Sequence, residues 1–319
     1  MLLNIIFIFS LIVLAIGYIK IAEKFNIVDK PNHRSSHVVP TIRGGGVLFY
    51  FALVIYFFST GMTTPYMFLG ITIIAVISYI DDLITLSSTF RLLIQFISIT
   101  LILYQLEQMT PIDWPFLLLF LVGGIGFINF FNFMDGINGI TGIYSITAII
   151  GFYIINLESK IVDSALLIFV CLSLVVFGYF NFRKKARFFA GDIGSITIAC
   201  LFFYLTILFY LNLQAPVVFL LFLVYMSDAV FTLLYRKKIE ENITHAHRHH
   251  LYQKFTDIKK WPHLKTAIIY SSIQLVLNTL VYFTYEFDVI QQWGIVFVCI
   301  VFAFVFYIYL FNGFKKVKK

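Results

Sequence analysis

Charge is what this chain lacks. Only 12% of its 319 residues are Asp, Glu, Lys or Arg, about half the share found in soluble domains, while 61% are hydrophobic and mean hydropathy is +0.93. That deficit excludes a water-soluble globular enzyme. Cysteine is scarce too: Cys171, Cys200 and Cys299 lie singly inside apolar runs, which excludes a disulfide framework or a cysteine metal cluster and leaves packing as their role. Neither HExxH nor GxSG stands out, so an intramembrane zinc or serine hydrolase has no nucleophile or ligand set to work with. Repeats, low-complexity tracts and soluble domain boundaries are missing, and a single integral membrane domain over residues 1–319 is expected. The first apolar run has no basic leader and no small-residue cleavage site, so it is expected to be retained.

What is present is hydrocarbon in long stretches. Runs able to cross a bilayer fall near 2–22, 45–59, 66–80, 92–106, 114–131, 137–156, 163–182, 194–211, 215–235, 266–284 and 292–312. The expected fold is an all-α polytopic membrane protein of about eleven helices, the shortest being 45–59 and 66–80. With the N-terminus outside, 22 of the 23 Lys and Arg residues fall on inward segments and only Lys160 falls outside. This places the C-terminus and the longer loops, about 24–44, 81–91, 132–137, 183–194 and 236–265, in the cytoplasm. Positive-inside topology accounts for most of the net charge of +7, so no nucleic-acid partner is needed. The same basic loops attract anionic headgroups or phosphate substrates.

Polar strings gather on that inward side. In YIDDLITLS (79–87), Asp81 and Asp82 follow a helix expected to end near Ile80, where the macrodipole disfavours carboxylates. They either form a solvated loop pair, one of them capping a turn through 83–87 with Ser87, Ser88 or Thr89 capping the next span, or bind a cation or act as a base. In NFFNFMDGINGI (129–140), Asn129 and Asn132 share a helix face and Asp135 follows near its end. Such oxygen donors suit Mg²⁺, and interhelical amide bonding is the alternative. FFAGDIGS (188–195) opens a span, so its glycines and unpaired N–H groups offer an anion site. Asp192 there is a helix cap or a metal ligand, and Phe188 and Phe189 are membrane packing or a platform for a base. HAHRHHLYQ (245–253) is a solvated basic loop or a set of His and Arg facing phosphate and sugar oxygens. VDKPNHRSSHVVPTIRGGG (28–46) sets His33, Arg34, His37 and Arg43 before three glycines, as a topogenic anchor or a basic hinge beside a phosphate.

Taken in order, DKPNHRSSH with PTIRGGG, DDLITLSSTFRLLIQ, NFFNFMDGINGITG, FFAGDIGS and AHRHHLYQ resemble the polyprenyl-phosphate N-acetylhexosamine-1-phosphate transferases over about 28–253. The resemblance implies Mg²⁺-dependent transfer, with Mn²⁺ as a substitute, of a sugar 1-phosphate from a UDP-N-acetylhexosamine to undecaprenyl phosphate, releasing UMP. It also implies a multi-pass protein of the bacterial inner membrane with its site facing the cytoplasm, compatible with a homodimer. By motif position, Asp192 resembles the metal aspartate and Asn132 a second ligand. Asp81 and Asp82 match the pair credited with deprotonating or positioning the lipid phosphate, and Asp135 matches the aspartate of the DG element. Phe189 falls where a ring stacks on uracil, and His247, Arg248 and His250 fall where the diphosphate or amino sugar is met. Arg91 and Gln95 match a polar pair meeting the lipid phosphate, and Arg43, Asn129 and Asn138 complete the substrate-facing set.

Two departures matter. Asn138 replaces a second carboxylate that many members carry, and AHRHHLYQ differs from the HxxPxHHH form of the muramyl-pentapeptide enzyme, pointing instead to the branch that starts O-antigen or capsule repeats. The competing class is a transporter or flippase, which would place its ionisable groups near the midplane and not at one end.

Overall fold

The computed structural model describes residues 2–31, 39–242 and 247–316; His33, Arg34, His37 and His245 lie outside them. The described elements are α1 (Leu2–Lys24), β1 (Val28–Asp29), β2 (Thr41–Ile42), α2 (Val47–Ser59), α3 (Pro65–Leu83), α4 (Ser88–Met109), α5 (Trp114–Phe133) and α6 (Ile140–Ser159). They continue with α7 (Ser164–Asn181), α8 (Gly191–Leu213), a 3₁₀ segment (Pro216–Phe222), α9 (Leu223–Lys238), α10 (Leu251–Asp257), α11 (His263–Thr284) and α12 (Val289–Lys316). Ten of these helical stretches are long and apolar enough to cross a membrane, counting the 3₁₀ segment with α9, and Val47–Ser59 is a shorter apolar helix. The chain is therefore an all-α multi-pass membrane protein. At about 1.5 Å per residue α2 spans only about 20 Å, less than a hydrocarbon core of about 30 Å.

Burial ranks the helices. The apolar window of α8 is 78% buried, against 17% for α12, 22% for α5 and 28% for α1, so α8 is the axis and the others present broad faces to lipid. The sequence of α8 requires this, being apolar around its whole circumference from Ile193 onward. Helices α2, α3, α4, α5 and α6 all pack against it. Its N-terminus carries GDIGS, so the most buried helix of the protein begins at the candidate site.

The ninth span is broken. A 3₁₀ stretch in lipid leaves backbone groups that water cannot reach, and such groups must be paired inside the protein. Gln274 of α11 performs that pairing: its Nε2 donates to Leu220 O (2.9 Å) and its Oε1 accepts from Val224 N (3.3 Å) and the Tyr144 hydroxyl (2.6 Å). Gln292 serves the start of the segment in the same way, accepting from Val217 N at 3.5 Å. Gln274→Leu is expected to cost about 1–3 kcal/mol, by orphaning these groups while keeping the apolar volume. A lowered thermal midpoint in detergent checks this, and an unchanged midpoint contradicts it.

Candidate active site

Helix α3 runs through Leu83, so Asp81 and Asp82 sit within its last turn and not beyond its end at Ile80. The unfavourable macrodipole at that position is offset from a neighbouring helix. The buried Asp82 carboxylate accepts the Asp192 N–H at 3.0 Å and the Ile193 N–H at 3.2 Å, so it caps the N-terminus of α8, where the dipole favours an anion. The N–H groups that the sequence offered to a ligand are thus held by the chain's own aspartate. Gly191 makes the approach possible: its φ is +71°, and a Cβ there would stand 2.5 Å from Asp82 Oδ2 and 2.8 Å from the Gly44 nitrogen.

Arg43 closes the group. Its Nε lies 2.6 Å from Asp82 Oδ1 and its Nη2 lies 3.4 Å from Asp192 Oδ1. Burial alone would lower the Arg43 pKa, but Asp82 and then Asp192 outweigh it and hold the guanidinium above its ordinary range. Backbone bonds fix the segment that carries it: Gly45 N donates to Phe189 O (2.8 Å) and Gly46 N to Ala190 O (3.0 Å), while Ile42 bridges to Phe188. PTIRGGG and FFAGDIGS, nearly 150 residues apart, are one structure.

A second recess lies alongside, with room of about 20 Å³ for one water-sized guest, lined among others by Asp81, Arg91, Gln95, Asn129 and Asn132. Asp81 Oδ1 accepts Leu86 N at 2.7 Å, making the expected turn cap, and Oδ2 pairs with Arg91 Nη1 at 3.1 Å. Ser87 caps α4 through Phe90 N. Gln95 and Asn129 exchange amide hydrogen bonds at 3.1 and 2.8 Å, and Asn132 Oδ1 accepts from the Ser195 hydroxyl at 2.5 Å. Arg91 Nε is buried without a hydrogen-bond partner among the described residues, so a cationic donor is left facing no acceptor.

Asp135 lies two residues past α5, half-buried, and accepts the Thr141 hydroxyl at 2.6 Å. Burial raises its pKa to about 6, with the Asp192 charge adding to the effect and the Thr141 bond and Arg43 opposing it. Asn138 does not reach toward this group. Its Nδ2 donates to Arg183 O at 2.9 Å, which ties the DGING loop to the α7–α8 connection. Because the folded pKa of Asp135 exceeds its ordinary 3.8, its contribution to stability is present below about pH 4 and lost as pH rises through about 6. Asp135→Asn, which keeps an acceptor for Thr141, is expected to stabilise chelator-treated protein by on the order of 2 kcal/mol at pH 7, read as a raised thermal midpoint, and not at pH 4. A difference independent of pH contradicts this assignment.

A cavity of about 990 Å³ opens next to the carboxylates, and Phe189 and Asn138 line it. So do Arg183, Lys184, Lys185, Arg187, Lys260 and His263, against one carboxylate, Glu23. Sequence reasoning read the Lys and Arg among them as topogenic charge with a general attraction for phosphate and assigned none of them to a site. The signal was there: RKKAR immediately precedes FFAGD. Three chain segments touch both the cavity and the carboxylate group, through Ile42 and Arg43, Asn138 and Asp135, and Phe189 and Asp192.

The histidine string is anchored by a residue the sequence reading missed. Asp228, buried in α9, accepts Leu251 N (2.9 Å), Tyr252 N (3.1 Å) and the Tyr270 hydroxyl (2.7 Å), and it meets His250 Nδ1 at 3.3 Å. The signal was a lone carboxylate inside the apolar run YMSDAVF. Tyr252 in turn donates to Phe133 O at 3.1 Å and packs on Gly136, where a Cβ would meet its hydroxyl. Arg248 forms a two-point ion pair with Asp257, at 2.9 and 2.8 Å. His247 lies beside Phe133, and burial followed by its cationic neighbours lowers its pKa to about 3, leaving a neutral imidazole at pH 7. Asp228→Ala is expected to cost about 3–5 kcal/mol and to expose residues 247–257 to protease. Wild-type melting and cleavage would contradict the anchoring role.

The donors present fit a hard divalent cation. Asp81, Asp82, Asp135 and Asp192 are offset by two guanidinium groups, Arg43 and Arg91, which leaves an excess of negative charge among oxygen-only donors. No three His, Cys, Asp or Glu side chains among the described residues form a closed metal cage. That suits Mg²⁺, which binds through one or two carboxylates together with substrate phosphates. Residues 64–210 match the family model described as glycosyl transferase family 4. No curated protein matches the chain.

Proposed function

Since the match to glycosyl transferase family 4 covers the segment from Asp81 to Asp192, we propose that the chain is a membrane glycosyl-1-phosphate transferase with a specific reaction. It moves an N-acetylhexosamine 1-phosphate from its UDP-sugar to a polyprenyl phosphate such as undecaprenyl phosphate. The setting is the bacterial inner membrane, with the site toward the cytoplasm and the pathway that of a surface glycan. One observation carries this reading: the carboxylates Asp82, Asp135 and Asp192 around Arg43 adjoin a basic cavity that Phe189 lines, and the same three chain segments reach both.

Each substrate then has a place. The uracil ring stacks on Phe189, and Lys184, Lys185 and Lys260 surround the diphosphate. The lipid phosphate takes Arg91, whose Nε lacks an acceptor, with Gln95 one turn further along α4. A phosphate oxygen of the lipid forms a bond to the sugar-bearing phosphorus, and the bond to UMP breaks, with UMP keeping the electron pair. Asp81 and Asp82 hold the two guanidinium groups apart, one for each anion. Bound Mg²⁺, or Mn²⁺ in its place, would neutralise diphosphate charge, and Asp192 and Asn132 are the residues that would hold it. His247, neutral, accepts a hydrogen bond from the sugar or diphosphate side.

The test uses detergent-purified protein with undecaprenyl phosphate and a panel of UDP-sugars, following UMP release and the mass of the lipid product without any gradient. Asp192→Asn is expected to lower turnover at least a thousandfold while melting normally. Phe189→Ala raises KM for the UDP-sugar about tenfold, in line with the worth of one stacking contact, and Arg91→Gln raises KM for the lipid instead. Full activity of Asp192→Asn, or lipid product from no UDP-sugar, overturns the reading.

A further inference from the structure

A crevice of about 410 Å³ lies between the ends of α1 and α7 on the basic face of the protein, and the reaction above leaves it without a role. Its polar wall is Lys20, Glu23, Arg183 and Arg187, three cations against one carboxylate. Helices α1 and α7 both end here, at Lys24 and Asn181, and their C-terminal partial charges subtract from that excess without cancelling it. The Arg187–Glu23 pair is loose, at 3.6 Å between side chains that are each more than half exposed, so an incoming anion can displace Glu23 from it at little cost.

The other wall is apolar and faces outward. Ile16 is 46% exposed and Tyr179 is 69% exposed, and both belong to membrane spans, so acyl chains meet them. Arg183 stacks its guanidinium over the Tyr179 ring at 4.6 Å, which holds a cation at the level where a tyrosine marks the membrane surface. A soluble phosphate would use the cations and leave the apolar wall unused. A lipid uses both. We propose that the α1–α7 crevice binds the headgroup of an anionic phospholipid, its phosphodiester against Lys20, Arg183 and Arg187 and its acyl chains along Ile16 and Tyr179. Glu23 is then placed to accept a hydrogen bond from a headgroup hydroxyl, as a glycerol headgroup provides.

The experiment is native mass spectrometry of the full chain, released from nanodiscs of equal phosphatidylglycerol and phosphatidylcholine. Lys20→Gln and Tyr179→Ala are the variants, because neither residue lines the large cavity. The wild type is expected to retain phosphatidylglycerol preferentially, and Lys20→Gln to lose that preference about fivefold, the weight of one cation at a membrane surface. Tyr179→Ala should weaken it as well, with melting and UMP release unchanged in both. Equal retention of the two lipids, undiminished preference in both variants, or displacement by millimolar soluble glycerol phosphate would overturn the proposal. The last outcome would assign the crevice to a free phosphate ester.

Discussion

The Arg43 guanidinium, with Nε on Asp82 and Nη2 on Asp192, joins two carboxylates that α3 and α8 would otherwise hold in mutual repulsion at a bilayer edge. Two like charges about 4 Å apart cost about 4 kcal/mol at an effective dielectric near 20. A lysine is a point charge, whereas the planar fork of arginine reaches both acids from one residue. The position of that fork depends on Gly45 and Gly46 bonding to Phe189 and Ala190, so the basic loop, the α3 end and the α8 start cannot be built separately.

From this joint follows a division of labour between two anion-handling devices. The positive end of α8 is committed to Asp82, so the recess and the cavity beside it present positive charge through side chains: Arg91 on one side, and Lys184, Lys185 and Lys260 on the other. Side-chain cations can move as an anion enters or leaves, whereas a helix terminus cannot. The rigid dipole is spent on architecture.

Much of this was legible in the sequence. Hydrophobic runs located the spans within a few residues, since a bilayer accepts little but helix and the required length is fixed by its thickness. The three-residue spacing of Asn129 and Asn132 placed both on the recess, and the serine cap at 87 and the turn cap by an aspartate of 81–82 follow from local chemistry alone. Partnerships between distant segments were not legible. Nothing local says that Asp82 caps α8, that Arg248 is engaged by Asp257, or that Asn138 binds the Arg183 carbonyl. The RKKAR cluster could not be assigned to a site because one charge pattern serves two purposes, orientation in the membrane and the rim of a cavity.

Asp228 carries the hardest version of that lesson. A carboxylate inside an apolar span reads as a midplane transport group, yet here its donors are the backbone of α10 and the hydroxyls of Tyr270 and Tyr307. Those donors come from α10, α11 and α12, so one buried anion gathers three helices around the histidine string. Such an anchor has to be charged to hold so many donors and has to be buried to keep water from competing for them. That explains a carboxylate buried within α9, between the apolar start of the helix and its basic end. The same requirement separates it from a transport residue, whose charge must meet a changing partner, whereas every partner of Asp228 is fixed in the fold.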